Sequence, residues 1–156
     1  MTTDPVNIIE YETMVFARYL SSQSGRTRRT LGVLDQSAYM LLSVLHVAGP
    51  QSISELKTVT GLDASTLNRQ TAALLRDDLA ERIADPSGGV ARKFTTTAQG
   101  VTLLQGEREA SREAMRGLMG EWSDADRDAF ADLLGRLNRA IEDYSGRDWP
   151  RPDFAS

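Results

Sequence analysis

Residues 49–86 read GPQSISELKTVTGLDASTLNRQTAALLRDDLAERIADP, and the punctuation of this stretch decides the fold. Gly49-Pro50 stops any preceding helix, because Pro cannot continue one and Gly accepts the backbone of a helix end. Ser52-Ile53-Ser54-Glu55 has the spacing of a capping box and predicts a short helix over 52–60, with Ile53, Leu56 and Val59 as its apolar stripe. Gly61 supplies a turn, and Asp63 caps a second helix over 63–78. Two short helices joined by a tight glycine-containing turn form the helix-turn-helix pattern.

The second helix has two unlike sides. At about 100° per residue, Leu67, Thr71 and Leu74 cluster inward, with Ala64, Gln70 and Leu75 at the edges. Ser65, Arg69, Ala72 and Arg76 point the opposite way, flanked by Thr66 and Asn68. A helix entering the major groove needs small residues near its N-terminus, hydroxyl or amide groups for phosphates and base edges, and an Arg for bidentate bonds. Ser65, Thr66, Asn68 and Arg69 supply that set, and the helix N-terminus adds backbone N–H groups. A polar face on an isolated helix is usually only solvated; here its setting argues for more. Residues 82–97 read as a hairpin with a Pro-Ser-Gly-Gly turn, and a hairpin directly after such a helix is a wing. Arg92 and Lys93, just past its tip, either hold phosphates or are ordinary exposed strand residues.

Outward from this centre the chain reads as helical. Asp4-Pro5 opens a helix predicted over 4–22, and the polar SSQSGRTRRT reads as a connection. Its Arg26, Arg28 and Arg29 either touch flanking phosphates or sit in a solvated loop. Asp35 caps an apolar helix with Ala38, Leu41, Leu42 and Leu45 on its core stripe. Residues 98–145 hold two long amphipathic helices, started at Thr97 and Ser123, and residues 146–156 read as a loosely held tail. The fold class is thus mainly α with a small β-hairpin wing, a winged helix-turn-helix over 35–97 within a single domain of 1–156. The terminal helices, 4–22 and 98–145, carry more apolar surface than so small a module can cover, which predicts dimerisation.

Composition removes most other classes. A chain of 156 residues with 40% hydrophobic and 26% charged content is an ordinary globular domain. Having no Cys, it has no disulfide, thiolate metal site or thiol switch. MTTDPVNIIEYE lacks the features of a signal peptide, and no apolar run approaches a membrane span, so a cytoplasmic location with no membrane partner is expected. The only His, His46, offers one metal ligand where zinc needs three or four. Asp124, Asp126, Asp128 and Asp132 sit where a helix start favours carboxylates. Arg108, Arg112 and Arg116 recur beside Glu109 and Glu113, so ion pairing explains them better than a ligand crevice. No phosphate loop, nucleophile–base arrangement or metal spacing appears, so the chain does not read as an enzyme, and no cofactor is expected. The net charge of −4 opposes nucleic acid only mildly, because local placement decides the field.

From GPQSISELKTVTGLDASTLNRQTAALLRDDLAERIADP through TTTAQG, the chain resembles the MarR family of transcriptional regulators. The resemblance implies a homodimer that binds double-stranded DNA at a pseudo-palindromic operator, with Ser65, Thr66, Asn68 and Arg69 facing the major groove. It also implies a repressor released by a small anionic or aromatic effector. Where many members have Asp-Arg-Arg at the wing, this chain has Gly88-Gly89-Val90, so the tip lacks the Arg that enters the minor groove. Lys57 and Thr60 stand where a small residue and Leu are usual. The acidic balance and altered wing also permit a winged-helix interaction module that has lost strong DNA binding.

Overall fold

A computed structural model describes the backbone of residues 4–30 and 34–154 and the side chains of 4–22 and 34–154. In chain order the elements are α1 (Pro5–Thr30), α2 (Gln36–Ala48), α3 (Ile53–Thr60), α4 (Ala64–Arg76), β1 (Ala80–Ile83), β2 (Lys93–Thr96), α5 (Ala98–Leu118) and α6 (Asp124–Ser145). Helix starts are set by side chains that accept from otherwise unpaired backbone N–H groups. Asp35, Ser52, Asp63, Thr97 and Ser123 do this for α2 to α6 in turn. At α3 the capping box closes in both directions: Glu55 N–H donates to Ser52 Oγ at 3.2 Å, and Ser52 N–H to Glu55 Oε2 at 2.7 Å.

Leu41, Leu42 and Leu45 of α2, Leu56 of α3, Leu67 and Leu74 of α4, Phe94 of β2 and Leu104 of α5 share one buried cluster. Their burial, at about 1.5–3 kcal/mol per large apolar side chain, is what assembles short elements that would be marginal alone. The two strands pair antiparallel with Ala80 opposite Thr96 and Ile83 opposite Lys93. Gln51 adds a bridge to Phe94 through two backbone hydrogen bonds of 3.0 and 2.8 Å, which ties the lead into α3 to the hairpin. Gly100, in the first turn of α5, lies so close to the Leu79 carbonyl that a Cβ would run into it.

Three boundaries differ from those read in the sequence. Helix α1 continues to Thr30 through the stretch read as a connection. Lack of apolar periodicity there does not end the helix, since Ser, Gln and Arg are acceptable helix formers and no Pro intervenes. The side chains of Arg26, Arg28 and Arg29 lie outside the described residues. The hairpin begins earlier than 82, at Ala80, because Leu79 and Ala80 are both buried and draw the chain into the sheet directly after α4. Helix α4 ends at Arg76, short of 78, where Asp78 takes a left-handed backbone (φ 56°) that an Asp tolerates.

The segment after α6 is folded back on the molecule instead of trailing as a loose tail. Gly146 caps α6 in the left-handed region, and Trp149 packs half-buried against the core cluster. Glu142 pins the segment: it accepts from the Trp149 N–H at 3.2 Å and from the Arg151 guanidinium through both carboxylate oxygens. Arg151, then the Trp149 N–H, hold the Glu142 carboxyl down from 4.5 to about 2. A lowered carboxylate pKa means that the pinning is fully present above the ordinary carboxylate range and is lost as pH falls toward 2.

Two outcomes follow from this packing. Gly100→Ala should destabilise the fold by roughly 1–3 kcal/mol, the usual cost of overpacking, and a thermal melt unchanged from wild type would contradict the close approach. In a Trp122→Phe background, where Trp149 is the remaining tryptophan, Glu142→Gln should raise acrylamide quenching of Trp149. Equal quenching in both proteins would show that the carboxylate does not pin the segment.

Candidate nucleic-acid interface

Helix α4 presents the site. Its inner side is set by Leu67, Thr71 and Leu74, all buried, and the one hydroxyl among them donates to the Leu67 carbonyl at 2.8 Å, so no polar group is stranded. The outer side follows from that rotation: Ser65, Asn68, Arg69, Ala72 and Arg76 are exposed, and Thr66 is half-buried at the flank. Ser65, Asn68 and Arg69 therefore share one polar surface beginning in the first turn of the helix. Arg69 forms no ion pair among the described residues, whereas Arg76 pairs with Asp77 at 3.3 Å.

Thr66 is partly committed. Its N–H and its hydroxyl both donate to Asp63, each at 2.8 Å, so the hydroxyl spends its proton on the cap and retains acceptor capacity. The Asp63 carboxyl is held below its ordinary value, first by the Thr66 N–H and then by the Thr66 hydroxyl. The cap stabilises the helix start that carries Ser65.

The wing separates the two cations suggested by the sequence. Arg92 is exposed just before β2 and free of ion pairs among the described residues. Lys93 points inward, its side chain 13% exposed, with Nζ 3.0 Å from Glu55 Oε1 and 3.6 Å from Asp85 Oδ1. Its charge is consumed in tying the α3 capping box to the base of the wing, which is incompatible with the free phosphate contact read for it. The interaction raises the Lys93 pKa, chiefly through Glu55, and lowers those of Glu55 and Asp85. For Glu55 the Ser52 N–H is the larger cause and Lys93 the next; for Asp85 it is the Ser87 N–H. The sequence carries no hint of this triad, because Glu55, Asp85 and Lys93 are brought together only when the hairpin folds over α3. Nor did it show Arg82, whose guanidinium lies 5.3 Å above the Phe94 ring from the opposite strand.

At its tip the wing is neutral. Ser87 N–H and hydroxyl both donate to the Asp85 carboxylate at 2.9 Å, and Val90 is fully exposed. Elsewhere, Arg116 and Arg112 pair with Glu109, and Arg116 also with Glu113, as their spacing suggested. His46 and Lys57 are exposed. Among the described residues there is no cluster of His, Asp or Glu able to hold a metal ion, and no helix long and apolar enough to cross a membrane.

A family model described as the MarR family matches residues 34–88, the span from the start of α2 to the wing tip. The uncharacterized HTH-type transcriptional regulator YxaD of Bacillus subtilis (strain 168) is 39% identical over 143 residues, spanning 90% of this chain and 97% of its own length. Among solved structures, a MarR family protein from Bacillus stearothermophilus superposes with a TM-score of 0.71 at 19% identity, covering 90% of this chain and 99% of that one. Streptococcus pneumoniae FabT, solved in complex with DNA, superposes with a TM-score of 0.71 at 16% identity over 90% of this chain and 99% of its own. At these identities the two superpositions speak for the fold.

The Lys93 triad gives a measurable consequence. Since the Glu55 and Asp85 pKa values are lowered, its contribution is complete above the ordinary carboxylate range of about 4 and fades as pH falls below it. Lys93→Met should reduce amide-exchange protection of Thr95 and Thr97 at neutral pH, and acidification to about pH 3 should reduce it in the wild type. Wing protection indifferent to both changes would show that the triad does not hold the hairpin.

Proposed function

Because the chain belongs to the MarR family of DNA-binding transcriptional regulators, we propose that it is a dimeric, ligand-responsive repressor that reads a pseudo-palindromic operator through α4. The family is one of transcription regulators, not enzymes. One observation carries the proposal: Leu67, Thr71 and Leu74 are buried while Ser65, Asn68 and Arg69 stand exposed on one face. In that arrangement Arg69 is available for a bidentate bond to guanine or a phosphate, Asn68 for an adenine edge, and Ser65 for close approach. Thr66 adds an acceptor at the flank, and Arg92 a phosphate contact beside the wing. Lys93 is not in the set.

The homodimer is supported by apolar surface that this chain leaves open. On α6, Phe130, Leu133, Leu137 and Ile141 are between 42% and 56% exposed, and α6 has no buried residue at all. On α1, Ile8, Ile9 and Phe16 are similarly open. Stripes of that extent on a soluble domain mark an interface, and a symmetric pairing would set two α4 helices about one DNA turn apart, ~34–36 Å. The effector is supported by a crevice between the start of α2 and α4, lined in part by Ser37, Ala38, Arg69 and Gln70. Gln70 Oε1 beside it is buried with no hydrogen-bond partner among the described residues. A small molecule that engages Arg69 there would compete with DNA for the same guanidinium.

Binding to a fragment of the protein's own upstream region, followed by fluorescence anisotropy, tests the reading face. Arg69→Ala should weaken binding by about 1–3 kcal/mol and lower its salt dependence, and unchanged binding would refute the assignment. Light scattering at micromolar concentration should give twice the 17.2 kDa chain mass; a monomer would remove the dimer and the pseudo-palindrome together.

A further inference from the structure

The segment after α6 brings a cation to the helix-turn-helix. The Arg147 guanidinium lies against Gly61, the residue that turns the chain from α3 into α4: a Cβ on Gly61 would come within 3.0 Å of both Cζ and Nη1 of Arg147. Gly61 is needed there for its left-handed backbone (φ 72°), and the guanidinium occupies the space beside it. Arg147 is exposed and forms no ion pair among the described residues. It is also held in place, since Trp149 packs against the core and Glu142 grips both the Trp149 N–H and Arg151.

Gly61 precedes the Asp63 cap of α4 by two residues and Ser65 by four, so at ~3.8 Å per Cα step it lies within about 15 Å of the reading face. In a helix-turn-helix the first helix crosses the DNA backbone while the N-terminal residues of the second reach the bases. The turn between them therefore overlies the strand that flanks the groove. From the wing only Arg92 has been proposed for a phosphate, because the tip is neutral and Lys93 is spent on Glu55 and Asp85. We infer that Arg147 is a DNA-phosphate contact, delivered to the flank of α4 by a C-terminal arm anchored through Trp149 and Glu142. The inference rests on the reading of α4 as the DNA-facing helix.

A charge that neutralises one phosphate contributes close to one unit to the slope of log K against log salt and is indifferent to sequence. In the full-length protein, Arg147→Ala is expected to weaken binding to the upstream fragment and to an unrelated duplex by the same factor, about five- to ten-fold, and to lower the salt slope by about one. Arg147→Lys should restore the slope. Glu142→Gln, which frees the arm without removing the cation, should lower affinity in the same sequence-independent way. If Arg147→Ala weakens binding without altering the slope, Arg147 acts by bracing the turn and the phosphate contact is overturned. It is equally overturned if Arg147→Ala binds as wild type does while Arg69→Ala is impaired. If both variants bind as wild type does, the reading of α4 itself fails and the inference falls with it.

Discussion

The rotational setting of α4 decides which of its side chains can meet DNA. Leu67 and Leu74 are buried against the cluster built by α2 and α3, and Thr71 between them satisfies its hydroxyl within the helix. Turning the helix by one residue, about 100°, would expose a leucine and drive Asn68 or a neighbouring polar side chain into that cluster. The first change forfeits about 1.5–3 kcal/mol of burial and the second adds an unpaired polar group, so no neighbouring setting competes. Ser65, Asn68 and Arg69 face outward because Leu67, Thr71 and Leu74 face inward. A core constraint thereby fixes the face that we propose reads DNA.

Charge follows the same economy of position. The chain carries a net charge of −4, which would oppose a polyanion if it were spread evenly. Many of its carboxylates are instead committed locally: Asp35, Asp63 and the Ser52–Glu55 box start helices, Asp85 and Glu55 hold Lys93, and Glu109, Glu113 and Glu142 pair with arginines. Arg69, Arg92 and Arg147 are left exposed without such partners among the described residues. Because exposed charges are screened beyond about 8 Å at physiological ionic strength, acidic residues remote from α4, such as the first turn of α6, weigh little on the field at the reading face.

How much of this could be read from the chain depends on whether the cause is local. The helix-turn-helix was legible because its starts and stops are written as single residues, Ser52, Gly61 and Asp63, each acting within three positions of itself. The inward and outward sides of α4 were legible because helical periodicity makes them so. The extension of α1 to Thr30 is not legible because a polar run of Ser, Gln, Arg and Thr gives no apolar period to follow, although nothing in it breaks a helix. Lys93 reads beside Arg92 as either a phosphate contact or an ordinary exposed strand residue, since nothing within its own strand reveals that Glu55 and Asp85 reach it. The same holds for the tail read over 146–156: two prolines and no periodicity look like a loose arm, and only tertiary contact shows Trp149 seated on the core and Arg147 at Gly61.

The central claim is that the first turns of α4 enter the major groove. The chain has no cysteine, so Ser65→Cys creates a unique attachment point for a DNA-cleaving reagent on an exposed residue of that face. Cleavage of bound upstream DNA should then fall within the protected region, at bases lining the major groove. Cleavage absent from Ser65→Cys yet present from the same reagent on the outer face of α6 would contradict the account, since another surface would then be meeting the DNA.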